Sequence, residues 1–188
     1  TTTDNTTTTD NTTTTSSGVF VAVGSSGTIL KSSDGITWTE VSESASDNSS
    51  GLTGTINDIT YGNGTYVLVG SLIGDVYSSS DGNSWTSRTS GTSNTLNGVT
   101  YGDGKFFAVG ASETFLTSSD GTSWTEITTT AYDNGSGLSG KNDITYGNST
   151  FVTVGGSGTI FTSSNNGTTW TSRTSGTSDT LNGVTYTE

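Results

Sequence analysis

Residues 102–124 read GDGKFFAVGASETFLTSSDGTSW, and much of the chain consists of variations on this stretch. It begins with Asp103-Gly104, a pair typical of a type I′ hairpin turn because glycine readily adopts positive φ. The apolar run from Phe106 to Val109 has the length and composition of a strand buried on both faces. A second run, Thr114 to Thr117, leads into the turn sequence Ser118 to Gly121 and then a tryptophan. The stretch therefore predicts two strands, a Ser-Asp-Gly turn and a third strand led by tryptophan.

The same pattern recurs along the chain. The four tryptophans, at positions 38, 85, 124 and 170, are spaced 47, 39 and 46 residues apart. Residues 86–101, TSRTSGTSNTLNGVTY, return as TSRTSGTSDTLNGVTY at 171–186, with Asp179 in place of Asn94. Periods of about 40–50 residues with several short strands and no helical periodicity are typical of propeller blades.

Each unit predicts four strands, which we call a to d in chain order. In the third unit they lie near Leu96–Tyr101, Lys105–Val109, Glu113–Ser118 and Ser123–Ile127. The first unit, from Gly18, has strands b, c and d without strand a, whereas the chain's last strand, 181–186, is a strand a with nothing after it.

Because these two defects complement each other, we predict an all-β fold, a four-bladed β-propeller over residues 18–188 closed by the C-terminal strand. The same complementarity would also allow the last strand to complete a neighbouring molecule.

The propeller is preceded by an extended Thr-rich arm at residues 1–17. Residues 1–15, TTTDNTTTTDNTTTT, offer nothing apolar to bury, and β-branched Thr favours extended backbone. A disordered linker and a sugar-coated stalk both fit, and the stalk is preferred because N-x-[ST] acceptor patterns coincide with Thr clusters. The candidates for glycosylation are Asn5, Asn11, Asn48, Asn63, Asn134, Asn148, Asn166, Thr6, Thr7, Thr8, Thr9, Thr12, Thr13, Thr14 and Thr15.

The four Ser-Asp-Gly-Trp turns resemble the Asp-box, or BNR, repeat of sialidase-like propellers. Three copies are one residue shorter than that repeat, and the fourth has Asn in place of Asp. The resemblance implies that the polar residue stabilises the turn and the Trp packs on the neighbouring sheet, with sugar stacking as the alternative for the Trp. The motif residues are Asp34, Asp81, Asp120, Asn165, Trp38, Trp85, Trp124 and Trp170.

The residues that a sialidase needs are missing from this degenerate repeat. Sialidases hold the substrate carboxylate with three arginines, and the chain has only two, Arg88 and Arg173, at equivalent repeat positions. Asp75 and Glu113 are candidates for a pair of glycosidase carboxylates, but they also occupy near-equivalent positions. We therefore expect no enzymatic activity and no catalytic residues.

Metal binding is the other chemistry that the sequence suggests. Within the polar inserts 47–54 and 133–140, the stretches Asp47–Gly51 and Asp133–Gly137 are rich in Asp, Asn, Ser and Gly, which suggests calcium, but they lack the EF-hand spacing and its closing Glu. Solvated loops are the better interpretation, and no metal or cofactor is predicted.

The composition of the chain excludes several kinds of functional site. The chain has no His, Cys or Met and a net charge of −12, which excludes the usual zinc and thiol sites and disfavours nucleic acid. No apolar run approaches the roughly 20 residues of a membrane-spanning helix. Since residue 1 is Thr, we expect either that an upstream segment has been removed or that the chain is part of a longer one.

These features together predict a non-catalytic structural subunit of an extracellular or cell-surface fibre or layer. Its partners would be copies of itself and covalent glycans, with the Thr-rich arm as connector. A carbohydrate-binding propeller is the alternative, and a hydrolase is a third possibility.

Overall fold

The computed structural model describes residues 18–41, 52–72, 74–127 and 140–187. These residues form four antiparallel sheets, each with its strands in chain order. The first sheet has three strands and the other three have four. The strands of the first sheet are β1 (Phe20–Val23), β2 (Ile29–Ser32) and β3 (Thr39–Glu40).

The three four-stranded sheets repeat one hairpin plan. Short 3-10 turns at Ser25–Gly27 and Gly156–Gly158 are the helical elements of the described chain. The strands of the second, third and fourth sheets are β4 (Ile56–Gly62), β5 (Thr65–Gly70), β6 (Val76–Ser79), β7 (Thr86–Arg88); β8 (Leu96–Gly102), β9 (Lys105–Gly110), β10 (Phe115–Ser118), β11 (Thr125–Glu126); and β12 (Lys141–Gly147), β13 (Thr150–Gly155), β14 (Ile160–Ser163), β15 (Thr171–Arg173).

The predicted hairpin turn between β8 and β9 is confirmed. Asp103 has φ 48 and Gly104 has φ 76, the two positive values that a type I′ turn requires. The strand that follows is buried from Phe106 to Gly110, as its apolar run predicted. Sequence patterns of strand and turn thus locate the elements of each sheet.

Apolar clusters fill the spaces between successive sheets. Each cluster contains the tryptophan of the later sheet and aliphatic or aromatic side chains of the earlier one, so the tryptophan of a sheet packs backward. The pairings are Trp85 with Val21, Val23 and Ile29; Trp124 with Val67, Val69 and Val76; and Trp170 with Phe107, Val109 and Phe115.

The structure does not have the predicted closure by the C-terminal strand. Residues 181–186 form no strand, and β1 pairs only with β2 in the described part of the chain. The segment lies beside β12 instead, where Val184 N donates to Asp143 Oδ2 at 2.8 Å. Val99 N of β8 makes the same bond to Asp58 Oδ2 of β4, at 2.7 Å. We call the first strand of each four-stranded sheet its inner strand. Residues 181–186 contact the fourth sheet as an inner strand contacts the sheet before it, so they occupy the place of strand a of a following sheet.

Several predictions concern residues outside the described ranges. These are the arm at residues 1–17 with its candidate acceptors, Asn48 and Asn134, and most of the two polar inserts. In the ranges that are described, there is no helix with the length and apolar character needed to cross a bilayer.

Candidate functional site

The Asp-box turns hold their polar groups in local hydrogen bonds. In the third sheet, Oδ1 of Asp120 accepts from Ser118 Oγ at 3.0 Å, Thr122 N at 2.8 Å and Ser123 N at 2.9 Å. Gly121 N donates to Ser118 Oγ at 2.8 Å. The carboxylate therefore takes the place of a carbonyl acceptor inside the turn.

The hydrogen bonds also explain the acidity of these carboxyl groups. Backbone N–H groups of the turn lower the pKa of Asp34 and Asp81 to about 2, and that of Asp120 well below its ordinary value. In the fourth turn Asn165 Oδ1 replaces the carboxylate and accepts from Thr169 N at 3.0 Å. An amide and a carboxylate thus serve the same turn.

The four tryptophans fall into two alternating classes. Trp38 and Trp124 each donate Nε1 to the carbonyl of the turn glycine at 3.3 Å. Trp85 and Trp170 are buried, and their Nε1 atoms have no hydrogen-bond partner. The burial of these two between sheets leaves them no face for sugar stacking.

The two arginines do not converge on a common point. Arg88 Nε donates to Ser78 Oγ at 2.8 Å, and Arg173 Nε donates to Thr162 Oγ1 at 2.9 Å. Each bond lies within one sheet, between its third and fourth strands. The arginines are therefore equivalent features of two repeats.

Asp75 and Glu113 are likewise divided between sheets. Asp75 precedes β6 of the second sheet, where burial raises its pKa. Glu113 precedes β10 of the third sheet, is exposed, and has a positive φ of 63. Among the described residues, no group of His, Cys, Asp or Glu has the arrangement of a metal site.

Lys141 is a buried group that sequence reasoning missed. Its side chain has 0% exposure, and Nζ lies 5.1 Å from the ring centroid of Phe115 and 5.6 Å from that of Phe161 without a hydrogen-bond partner. Burial lowers its pKa to about 8, against the opposing charge of Glu113. Lys141 pairs with Gly155 as the apolar Leu96 pairs with Gly110. The sequence signal that could have identified this buried amine is a lysine at a repeat position where the third sheet has the apolar Leu96.

Polar groups of the inner strands tie the second sheet to the third and the third to the fourth, and sequence reasoning missed these as well. The side-chain amides of Asn57 and Asn97 donate to the carbonyls of Leu96 and Lys141, both at 2.7 Å. Asn142 Nδ2 donates to Leu181 O at 2.9 Å, so the C-terminal segment receives the same link.

Asp58 belongs to this inner set. Its Oδ1 accepts from Ile59 N at 2.8 Å, and burial raises its pKa to about 6 against the effect of its two backbone bonds. Since Oδ2 accepts from Val99 N, each carboxylate oxygen of Asp58 has a structural partner.

Three candidate glycosylation sites lie in described turns. Asn63 and Asn148 are exposed in the turns that join β4 to β5 and β12 to β13. Asn166 is half-buried in the fourth Asp-box turn. A sugar on either hairpin asparagine would extend into solvent.

The first sheet exposes apolar side chains on the face that would meet a preceding sheet. Phe20 is 57% exposed and Trp38 41%, and we call these two residues the leading face. At the position of Phe20, the third sheet has Phe106, which is 0% exposed. The leading face is open because no described sheet covers it.

A cavity of about 600 Å³ lies at the junction of the first and second sheets. Lys31 Nζ donates there to Asp81 O at 2.8 Å and to Asn83 Oδ1 at 3.0 Å. Hydroxyl, amide and ammonium groups in a cleft are able to bind a polar ligand. The lining includes Val19, Ser33, Thr37, Glu40 and Ser84.

Comparisons with known proteins establish the fold. No family model and no curated protein matches the chain. A structure of YCF48 bound to a D1 peptide is similar, with a TM-score of 0.62 and 17% identity over 87% of this chain and 52% of the other. YCF48 from Cyanidioschyzon merolae is similar with a TM-score of 0.61 and 15% identity over 88% of this chain and 55% of the other. The chain thus spans about half the length of these two structures, and the likeness shows a β-propeller fold.

Proposed function

We propose that the protein is a non-catalytic structural module of an extracellular or cell-surface assembly, with residues 1–17 as a connector. The observation that supports this most is the leading face, because Phe106 and Trp124, the equivalents of Phe20 and Trp38 in the third sheet, are buried and half-buried in the cluster against the second sheet. Exposed aromatic groups on a repeated packing surface are typical of interaction sites.

The polar groups support a role without catalysis. The Asp-box carboxylates are engaged in turn hydrogen bonds, and the two arginines bind hydroxyl groups of their own sheets. The exposed hairpin sites Asn63 and Asn148 fit a glycosylated surface. These features agree with an extracellular location.

Electron microscopy of native material tests this proposal. We expect fibres or layers whose repeating unit has the size of one or a few propeller modules. Isolated particles at high protein concentration would contradict the structural role.

A carbohydrate-binding propeller is the second candidate, and the cavity between the first two sheets favours it. A glycan array separates the two functions, because a structural module should bind no sugar specifically. Saturable binding that Lys31→Ala or Asn83→Ala removes would support the second candidate.

A further inference from the structure

The first sheet lacks the inner strand that every later sheet has. In the second, third and fourth sheets an inner strand of seven residues pairs along the second strand. In the first sheet the corresponding edge of β1 has no pairing partner among the described residues. An unpaired strand edge is a template for an added strand.

An aromatic pair marks where the missing strand would lie. Tyr101 pairs directly with Phe106 across β8 and β9, and their ring centroids are 4.7 Å apart. The equivalent pairs of the second and fourth sheets have centroids 4.5 and 4.6 Å apart. Phe20 occupies this position in the first sheet without a tyrosine opposite it among the described residues, and it is 57% exposed.

The C-terminal segment carries the missing half of that pair. Its sequence, LNGVTY at residues 181–186, is identical to residues 96–101 of β8. Tyr186 lies over Gly147, where an added Cβ would be 2.1 Å from its Cγ, and Tyr146 lies over Gly102 in the same way. The segment is therefore placed as an inner strand, although it pairs with no strand of the described chain.

Two other parts of the chain do not suit the edge of β1. Residues 1–17 contain no apolar side chain to cover Phe20 or Trp38. The chain's own C-terminal segment is bound at the fourth sheet through Asp143 and Asn142, whereas β1 packs beside the second sheet. A second copy, however, presents the same segment, which has no strand partner in the described chain.

We infer that residues 181–186 of one copy pair with β1 of a second copy, so that two chains together form one four-stranded blade. Tyr186 would cover Phe20, and Trp38 would pack against the fourth sheet of the other copy as Trp124 packs against the second. The two surfaces differ, so the contact is heterologous and can build a ring or a filament. This inference rests on the proposed structural role and names its interface.

Disulfide trapping tests the pairing, because the chain contains no cysteine of its own. Directly opposed residues of antiparallel strands have Cβ atoms about 4.5–5.5 Å apart, near the separation that a disulfide needs. We would mix the Phe20→Cys and Tyr186→Cys variants of the 188-residue chain under mild oxidation. The matched control replaces Phe20→Cys with Tyr61→Cys, because Tyr61 is an aromatic residue with 56% exposure.

The expected result is a shift from the 19.1 kDa monomer to a disulfide-linked heterodimer in the first mixture and not in the control. Equal yields in both mixtures, or none in either, would overturn the inference. The double variant Phe20→Cys/Tyr186→Cys should form linked oligomers, whereas an internal disulfide in a monomer would show closure within one chain. If the wild-type protein assembles but these sites do not cross-link, the interface is wrong and the structural role stands.

Discussion

At the scale of single residues, the Asp-box turn shows how one acceptor oxygen organises a loop. Asp81 Oδ1 accepts from Asn83 N, Ser84 N and Ser79 Oγ at 2.8 to 2.9 Å. Asn165 performs the same task in the fourth turn without a charge. The turn thus depends on the acceptor atom more than on the carboxylate charge.

Replacing Asp81 separates these two contributions. We expect Asp81→Ala to lower the free energy of unfolding by about 1–2 kcal/mol, since its hydrogen bonds are lost, and Asp81→Asn to lower it much less. The pKa of Asp81 is about 2 in the folded chain and 3.8 ordinarily, so its charge-dependent contribution is present above pH 3.8 and is lost as pH falls toward 2. Urea denaturation at pH 7 and pH 3 measures both effects, and equal losses for Ala and Asn would contradict this account.

Whereas replacing Asp81 should destabilise the protein, replacing Lys141 should stabilise it. Since its pKa falls from 10.5 to about 8 on folding, both states are protonated below pH 8 and the folded state then bears the full cost of a buried charge. Lys141→Leu should therefore raise the free energy of unfolding at pH 7, by up to about 3 kcal/mol. In the wild type, stability should rise with pH between about 8 and 10.5, where the unfolded chain holds more protons.

Denaturation curves across that pH range measure the effect in both proteins. Lys105→Leu, a half-buried lysine at the start of β9, is the control for loss of one positive charge. If Lys141→Leu is destabilising at pH 7, or keeps the pH-dependent rise, the amine is better accommodated than its surroundings indicate.

At the scale of elements, the tryptophan that begins each fourth strand joins one sheet to the sheet before it. Trp85 is 3% exposed in the cluster between the first two sheets, whereas Trp38 is 41% exposed on the leading face. We expect Trp85→Ala to cost about 3–5 kcal/mol of unfolding free energy because it leaves a large cavity. Trp38→Ala should cost about 1 kcal/mol or less in the monomer. Urea denaturation of dilute protein compares the two, and similar losses would mean that Trp38 is covered in the single chain.

Sequence periodicity predicted these elements well because alternation and turn chemistry are local. The type I′ turn at Asp103-Gly104 and the buried run of β9 follow from residue types alone. The partner of residues 181–186 could not be predicted in this way. The segment is identical to residues 96–101, and pairing with β1 and packing beside β12 both suit it. Lys141 was missed because the copies of the repeat were compared for the residues that they share, and the one copy with lysine at an apolar position was overlooked.

At the scale of the whole molecule, the described residues form a series of sheets in which one edge of β1 and residues 181–186 both lack a strand partner. The net charge of −12 opposes association of two copies, since like charges repel. Salt screens that repulsion, with a Debye length that falls from about 30 Å at 0.01 M to about 8 Å at 0.15 M ionic strength. We therefore expect association to strengthen as sodium chloride rises from 0.01 to 0.15 M. Sedimentation velocity across this range measures it, and weakening with salt would indicate that attraction between charged groups holds the copies together.

The most direct test of the account is the solution mass of the unglycosylated 188-residue chain by sedimentation equilibrium, beside the variant Phe20→Asp. The account predicts a concentration-dependent mass for the wild type that reaches at least twice 19.1 kDa. For the variant, it predicts a folded monomer of 19.1 kDa, because a charge at position 20 prevents Tyr186 of another copy from packing there. A wild-type mass of 19.1 kDa at every concentration would contradict the account.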